Sequence, residues 1–205
     1  MPTLGPDAIY QLIRHLTSPV VAITSERDGK RNGMISDSAV RASIAPTVPR
    51  LSVYIHKFNY SHDLIFDSGR FVLHLLRDDQ FDVIHRLGFV SGRGQDKLAA
   101  VPYHLGMLGA PVLDDCYAYF ECRVANVMDT GSSTCFLGDV VAVGHGAAGD
   151  GAGRGTVMTA AYFRAHMPAE WRAEYERLLR AAQAYAAERS RDIRAVVWKG
   201  LEVGR

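Results

Sequence analysis

Tyr117-Ala118-Tyr119-Phe120-Glu121-Cys122-Arg123-Val124-Ala125-Asn126-Val127-Met128 is one of the two longest strand signals in the chain, and Cys135 to Val143 is the other. Asp129-Thr130-Gly131-Ser132-Ser133 lies between them, so the pair reads as a long antiparallel hairpin with a five-residue connection. Upstream of it, Val20 to Thr24 reads as a buried strand, and Glu26-Arg27-Asp28-Gly29-Lys30 as a polar hairpin turn. Gly33 to Ala39 resumes as an unusually polar strand. Leu51, Val53 and Ile55 alternate with Ser52, Tyr54 and His56, the period of a half-buried strand, and Phe71 to Leu76 supplies another.

Helical spacing occurs in three places. Ile9, Leu12, Ile13 and Leu16 form a short opening helix behind Pro6-Asp7, ended by Ser18-Pro19. Phe81, Ile84 and Leu87 follow, stopped by Gly88, and Ser91 to Gln95 is a polar, glycine-rich loop. Trp171, Tyr175, Leu178, Leu179 and Tyr185 then lie on one stripe of a closing helix, with Pro168 near its first turn. Strands outnumber helices and βαβ alternation is absent, so the pattern predicts a mainly β fold: an antiparallel barrel with peripheral helices.

The chain has 205 residues, 48% hydrophobic and 22% charged, enough for one domain with a real core. A net charge of +1, with the basic stretch Arg172 to Arg194 interleaved with glutamates, gives no field for a nucleic acid. No run is apolar and long enough to span a bilayer, and the N-terminus does not read as a secretion signal. Cys116, Cys122 and Cys135 are sparse and odd in number, which fits a reducing compartment, so a cytoplasmic location is expected.

Several chemical motifs fail on inspection. Gly144-His145-Gly146-Ala147-Ala148-Gly149 matches a dinucleotide fingerprint, but the glycines that follow will not start the helix such a site needs, so it reads as a flexible loop. The eight histidines show no metal-ligand spacing, and His74 inside its strand reads as hydrogen-bonded structure. No nucleophile elbow occurs, and the cysteines read as small buried hydrophobes.

Asn32 to Ile65 is the informative region. Asn32, Gly33, Met34, Ile35, Ser36, Asp37, Ser38 and Ala39 present amides and hydroxyls with little bulk, and Lys57-Phe58-Asn59-Tyr60-Ser61-His62 follows the next strand. Such groups can bind the edge of a heterocycle and a phosphate, or they can simply form a polar barrel rim.

In this region the sequence resembles the flavin reductase-like family, whose fold is the FMN-binding, Greek-key split barrel. The resemblance runs from about Thr17 to His145. It is carried by Val20-Val21-Ala22-Ile23-Thr24, Asn32-Gly33-Met34-Ile35-Ser36, Ser43-Ile44-Ala45-Pro46, Ser68-Gly69-Arg70-Phe71-Val72 and Asp96-Lys97. Gly109-Ala110-Pro111-Val112-Leu113, Phe120-Glu121-Cys122-Arg123-Val124 and Thr134-Cys135-Phe136-Leu137-Gly138-Asp139-Val140 complete the series. A single domain over 1–205 is expected, with its core at about 17–145 and a helical extension at about 157–195.

The resemblance implies a homodimer that binds FMN, or FAD handled as its FMN half, and uses NADH or NADPH as co-substrate. Electrons would pass on to a partner monooxygenase or a small acceptor. It implies that Asn32 to Ser38 line the isoalloxazine edge and ribityl chain, that Asn59, Tyr60 and Ser61 form the phosphate loop, and that Lys97 is its cationic partner. Tyr162 or Phe163 would be the aromatic near the ring. Many relatives carry Asp-His-Thr where this chain has Ser132-Ser133-Thr134, so Ser133 replaces a histidine beside the flavin. That substitution leaves open an electron carrier without its own nicotinamide site. No acid or base residue is required by hydride transfer to a flavin, and none is assigned.

Overall fold

The structure, a computed structural model, describes residues 5–16, 19–147 and 155–198. It opens with α1 (Pro6–Ile13), then β1 (Val21–Arg27), β2 (Lys30–Ser36), β3 (Ala39–Arg41), β4 (Arg50–His56), α2 (Tyr60–Ser68), β5 (Arg70–Leu75) and α3 (Phe81–Gly88). There follow β6 (Tyr103–Leu105), β7 (Pro111–Leu113), β8 (Ala118–Asp129), β9 (Ser133–Gly144), α4 (Ala160–His166), a turn of 3₁₀ helix (Ala169–Trp171) and α5 (Arg172–Arg189).

Seven strands form one antiparallel sheet in the order β2-β1-β5-β8-β9-β4-β3. The sheet curls into a half-barrel, as the alternating strands and short loops predict. Asp28 and Gly29 both adopt positive φ (52° and 78°), the two-residue turn whose twist suits the β1–β2 hairpin. The β8–β9 pair is the backbone of the sheet, and two register shifts, at Glu121/Cys122 and Val124/Asn126, sharpen its curl. Its loop is Thr130 to Ser132, shorter than the five residues expected. Thr130 bonds the Ser133 carbonyl through its amide and its hydroxyl, and this draws Asp129 and Ser133 into the strands.

The polar strand expected from Gly33 to Ala39 is two strands. Ser36 Oγ accepts from Ser38 N–H at 3.1 Å, a local turn that competes with the ladder and breaks it at Asp37-Ser38. β2 and β3 therefore sit at opposite edges of the same sheet, linked by that turn.

Val21, Ile23, Val53, Ile55, Phe71 and Phe136 fill the half-barrel. Fully burying side chains of this size stabilises by roughly 1.5–3 kcal/mol each. A second cluster joins Val20, Ala22, Leu76, Ile84, Leu87, Met158 and Phe163, fastening α3 and α4 to the sheet's outer face. α1 ends at Ile13, before Leu16, and Ile9, Leu12, Ile13 and, beyond the helix, Leu16 are exposed. Gly144 ends β9 and Gly146 lies against the backbone of Cys116, while the rest of the glycine-rich run, 148–154, falls outside the described residues. All three cysteines are buried, and none forms a disulfide among the described residues. Among the described residues no helix is long and apolar enough to cross a membrane.

Candidate functional site

The end of β2, the start of α2, the end of α3 and one flank of α5 enclose a two-part cleft. Its polar part, about 170 Å³, is bordered by Asn32, Asn59, Tyr60, Ser61, Ser91, Gly92 and Lys97. Its apolar part, about 280 Å³, is walled by Ile35, Phe89, Phe163, Tyr175, Leu178 and Leu179, with Ser36, Asp37, His56 and Arg164 as its polar groups. Phe58, Asn59, Gly88, Phe89 and Leu178 border both parts.

Asn32 anchors the polar part. It is buried, and its Nδ2 donates to the buried Ser61 Oγ at 2.8 Å. Its Oδ1 faces the 91–93 loop so closely that a Cβ on Gly92 would collide with it. Asn59 is the N-cap of α2 yet makes no side-chain bond to the helix's first turn. His62 N–H turns back to the Asn59 carbonyl at 3.0 Å, and the amides of Tyr60 and Ser61 are left for an outside acceptor, with the helix dipole adding positive potential. Tyr60 is packed under the Arg93 guanidinium, 5.3 Å from the ring centre.

Lys97 is 7% exposed, and its Nζ donates to the carbonyls of Leu87 at 2.6 Å and Val90 at 3.1 Å. The ammonium therefore caps the end of α3 and keeps one donor over. Burial pulls its pKa down to about 8, because the charged form has lost its water.

The remaining expected residues are placed as follows. Met34 borders the polar part while packing into the barrel core. Gly33 lies under α3, where a Cβ would be 3.0 Å from Leu87. Ser38 is exposed beyond the cleft, and its carbonyl accepts from Tyr54 N–H at 3.0 Å. Ser133 stands behind the wall: its Oγ pairs with His56 Nδ1 at 2.9 Å, and the His56 ring lines the cleft. Of the two aromatics of α4, Phe163 lines the cleft, whereas the Tyr162 ring stacks on His166 at 3.9 Å.

His56 was not singled out by the sequence, although strand alternation does set it on the face opposite Val53 and Ile55. Its ring stacks on Phe58 at 5.3 Å, and Phe58 meets Tyr185 of α5 edge-on at 5.0 Å. Burial lowers the His56 pKa, partly offset by Asp37, so the ring is neutral at pH 7. Arg164 was likewise missed. Lys57, on the loop before α2, is fixed by Asp129 at 2.7 Å, which ties that loop to the β8–β9 hairpin.

The donor set suits a flat ligand with a phosphate tail. Amides, a hydroxyl, a carboxamide and an ammonium gather at one end, and aromatic and aliphatic walls at the other. Among the described residues, no three His, Cys, Asp or Glu side chains converge as metal ligands.

Residues 13–170, which include the antiparallel half-barrel and most of this cleft, match the flavin reductase-like domain family. The chain belongs to that family. The high molecular weight rubredoxin of Moorella thermoacetica is 32% identical over 127 residues, 61% of this chain and 55% of that one. The reductase subunit of a flavin-dependent monooxygenase from Mycobacterium tuberculosis is 28% identical over 137 residues, 67% of this chain and 71% of that one. An FMN-binding protein from Thermus thermophilus, solved with 1-cyclohex-2-enone, matches at 26% identity with a TM-score of 0.59, over 71% of this chain and 76% of that one. The chain spans about half or less of the length of the first curated relatives it matches.

Proposed function

We propose that this protein is a flavin-dependent oxidoreductase of the NAD(P)H:flavin reductase type, binding FMN, or FAD through its FMN half, in the two-part cleft. The observation that carries the reading is the polar end: the buried Asn32–Ser61 pair, the uncapped start of α2 and Lys97 around one cavity of about 170 Å³. The phosphate sits there, on the amides of Tyr60 and Ser61 and the spare donor of Lys97. Asn32 to Ser38 run along the ribityl chain and ring edge, and Phe163 and Phe89 pack against the ring. Bound flavin supplies the redox chemistry, accepting a hydride from NADH or NADPH and passing the electrons on. The residues of the cleft position donor and acceptor and keep water out. The electrons go to a partner monooxygenase or a small acceptor, as the M. tuberculosis and T. thermophilus relatives suggest.

The half-barrel also leaves an apolar groove of about 490 Å³ between the β3–β4 loop and the β8–β9 hairpin, with Ile44 and Val143 exposed beside it. That face supports a homodimer. Three buried thiols fit a cytoplasmic location. Anaerobic addition of NADH and then NADPH to the FMN-loaded protein tests the donor, since a competent one bleaches the oxidised-flavin bands. A second reading is an FMN-binding electron carrier without a nicotinamide site. It is favoured by Ser133, which carries no imidazole and touches the cleft only through His56. Bands that persist with both nucleotides select it.

A further inference from the structure

Residues 171–198 lie beyond the stretch that matches the family, and they fold back over the chain's own cleft. Both ends of this segment are fastened. At its start Trp171 stacks on His85 at 4.3 Å and meets Phe89 edge-on at 5.9 Å, and Tyr175 meets Phe163 edge-on at 6.0 Å. At its far end α5 rests on the tip of the β8–β9 hairpin. Gly131 there has φ +82°, and a Cβ on it would stand 2.6 Å from the Arg189 carbonyl oxygen, so only glycine lets the helix come down. Ser190 Oγ, just past α5, donates to Ser132 Oγ in the hairpin loop at 3.4 Å. Trp198 is then buried in the half-barrel, edge-on to Phe66 at 5.2 Å.

Between these anchors the helix is held differently. No residue of α5 is buried; Tyr175 and Leu178 rest on the edge of the second core cluster, and with Leu179 and Ala182 they also border the apolar cavity. Leu178 borders the polar cavity as well. A wall over empty space lacks the contacts that close packing gives, and it gains them when a flat ligand fills the space.

We propose that residues 171–198 form a strap that closes the cleft from within the same chain, with Leu178 over both of its parts. Resting on the reading that a flavin occupies this cleft, the strap holds the flavin in place and slows its release.

The test is the dissociation rate of FMN from the full-length, FMN-loaded protein, followed by the return of free-flavin fluorescence on dilution. Leu178 and Leu179 are half-exposed, so truncating them spares the core. Leu178→Ala with Leu179→Ala is expected to speed release by about tenfold. Arg180→Ala, on the exposed side of α5 where Arg180 pairs with Glu176, is expected to leave the rate unchanged. A double alanine variant that releases FMN at the wild-type rate overturns the strap while leaving the functional reading intact. A wild-type protein that takes up no FMN overturns the functional reading and, with it, the strap's role in retention.

Discussion

Asn32 and Ser61, twenty-nine positions apart, meet as a buried hydrogen-bonded pair at 2.8 Å and join the second strand to the first turn of α2. The pair fixes the distance between the segment proposed to follow the ribityl chain and the amides proposed to hold the phosphate. Asn32→Ala leaves the Ser61 hydroxyl without this partner, which costs about 1–3 kcal/mol of stability. The FMN dissociation constant is expected to rise about tenfold or more, read by flavin fluorescence titration, with the far-UV circular dichroism unchanged.

Lys97 makes FMN affinity pH-dependent in a stated direction. Its pKa in the free protein is lowered from 10.5 to about 8, so the ammonium is present at pH 7 and is lost as the pH rises through 8. A phosphate monoester is already dianionic there, its second pKa being about 6, so the lysine alone titrates in this range. Bound phosphate favours the ammonium and raises its pKa, so affinity falls with rising pH from about 8 to the pKa of the complex. Titrations at several pH values check this, and Lys97→Met flattens the profile.

Period-two alternation was enough to place Leu51, Val53 and Ile55 inside and Ser52, Tyr54 and His56 outside, and the structure has them so. The same alternation says nothing about what covers the outer face. That is why His56 was missed as a wall of the cleft: its cover is α5, more than a hundred residues later. α2 was also missed, because Asn59 to His62 reads as a polar loop. Buried Ser61, Leu64 and Ile65 at i, i+3 and i+4, with Gly69 in the left-handed conformation as the stop, were the signal present. The stripe on α5 was legible from Trp171 to Tyr185. The burial of Trp198 was not, since the preceding coil has no periodicity and its place is set only by the open end of the half-barrel.

His74 gives the fold an acid-sensitive point. It is fully buried, pairs through Nδ1 with the Ala22 carbonyl at 3.2 Å, and accepts through Nε2 from Leu113 N–H at 3.0 Å. Burial pulls its pKa from 6.5 to about 3. Between those values the unfolded chain binds a proton that the folded chain refuses, so stability falls as the pH drops through that window. The slope from this group approaches ~1.4 kcal/mol per pH unit. NMR of the imidazole protons checks it: the His74 signals stay at their neutral positions down to pH 4.

Trp198 carries more stability than Trp171. The indole of Trp198 is 7% exposed within the core cluster, whereas that of Trp171 is half-buried against His85 and Phe89. Trp198→Ala is expected to cost about 3–5 kcal/mol and Trp171→Ala distinctly less, both read from denaturant midpoints.

The central claim, that the cleft holds FMN by its phosphate, is tested most directly by an FMN titration followed in the visible absorption spectrum. Wild type is compared with the Ser61→Ala, Lys97→Ala double variant. The account predicts a saturating shift of the flavin bands in the wild type, one FMN per chain. It predicts an affinity lower by about tenfold or more in the double variant, at unchanged circular dichroism. A wild type that leaves the flavin spectrum untouched, or a double variant that binds FMN as tightly as the wild type, contradicts it.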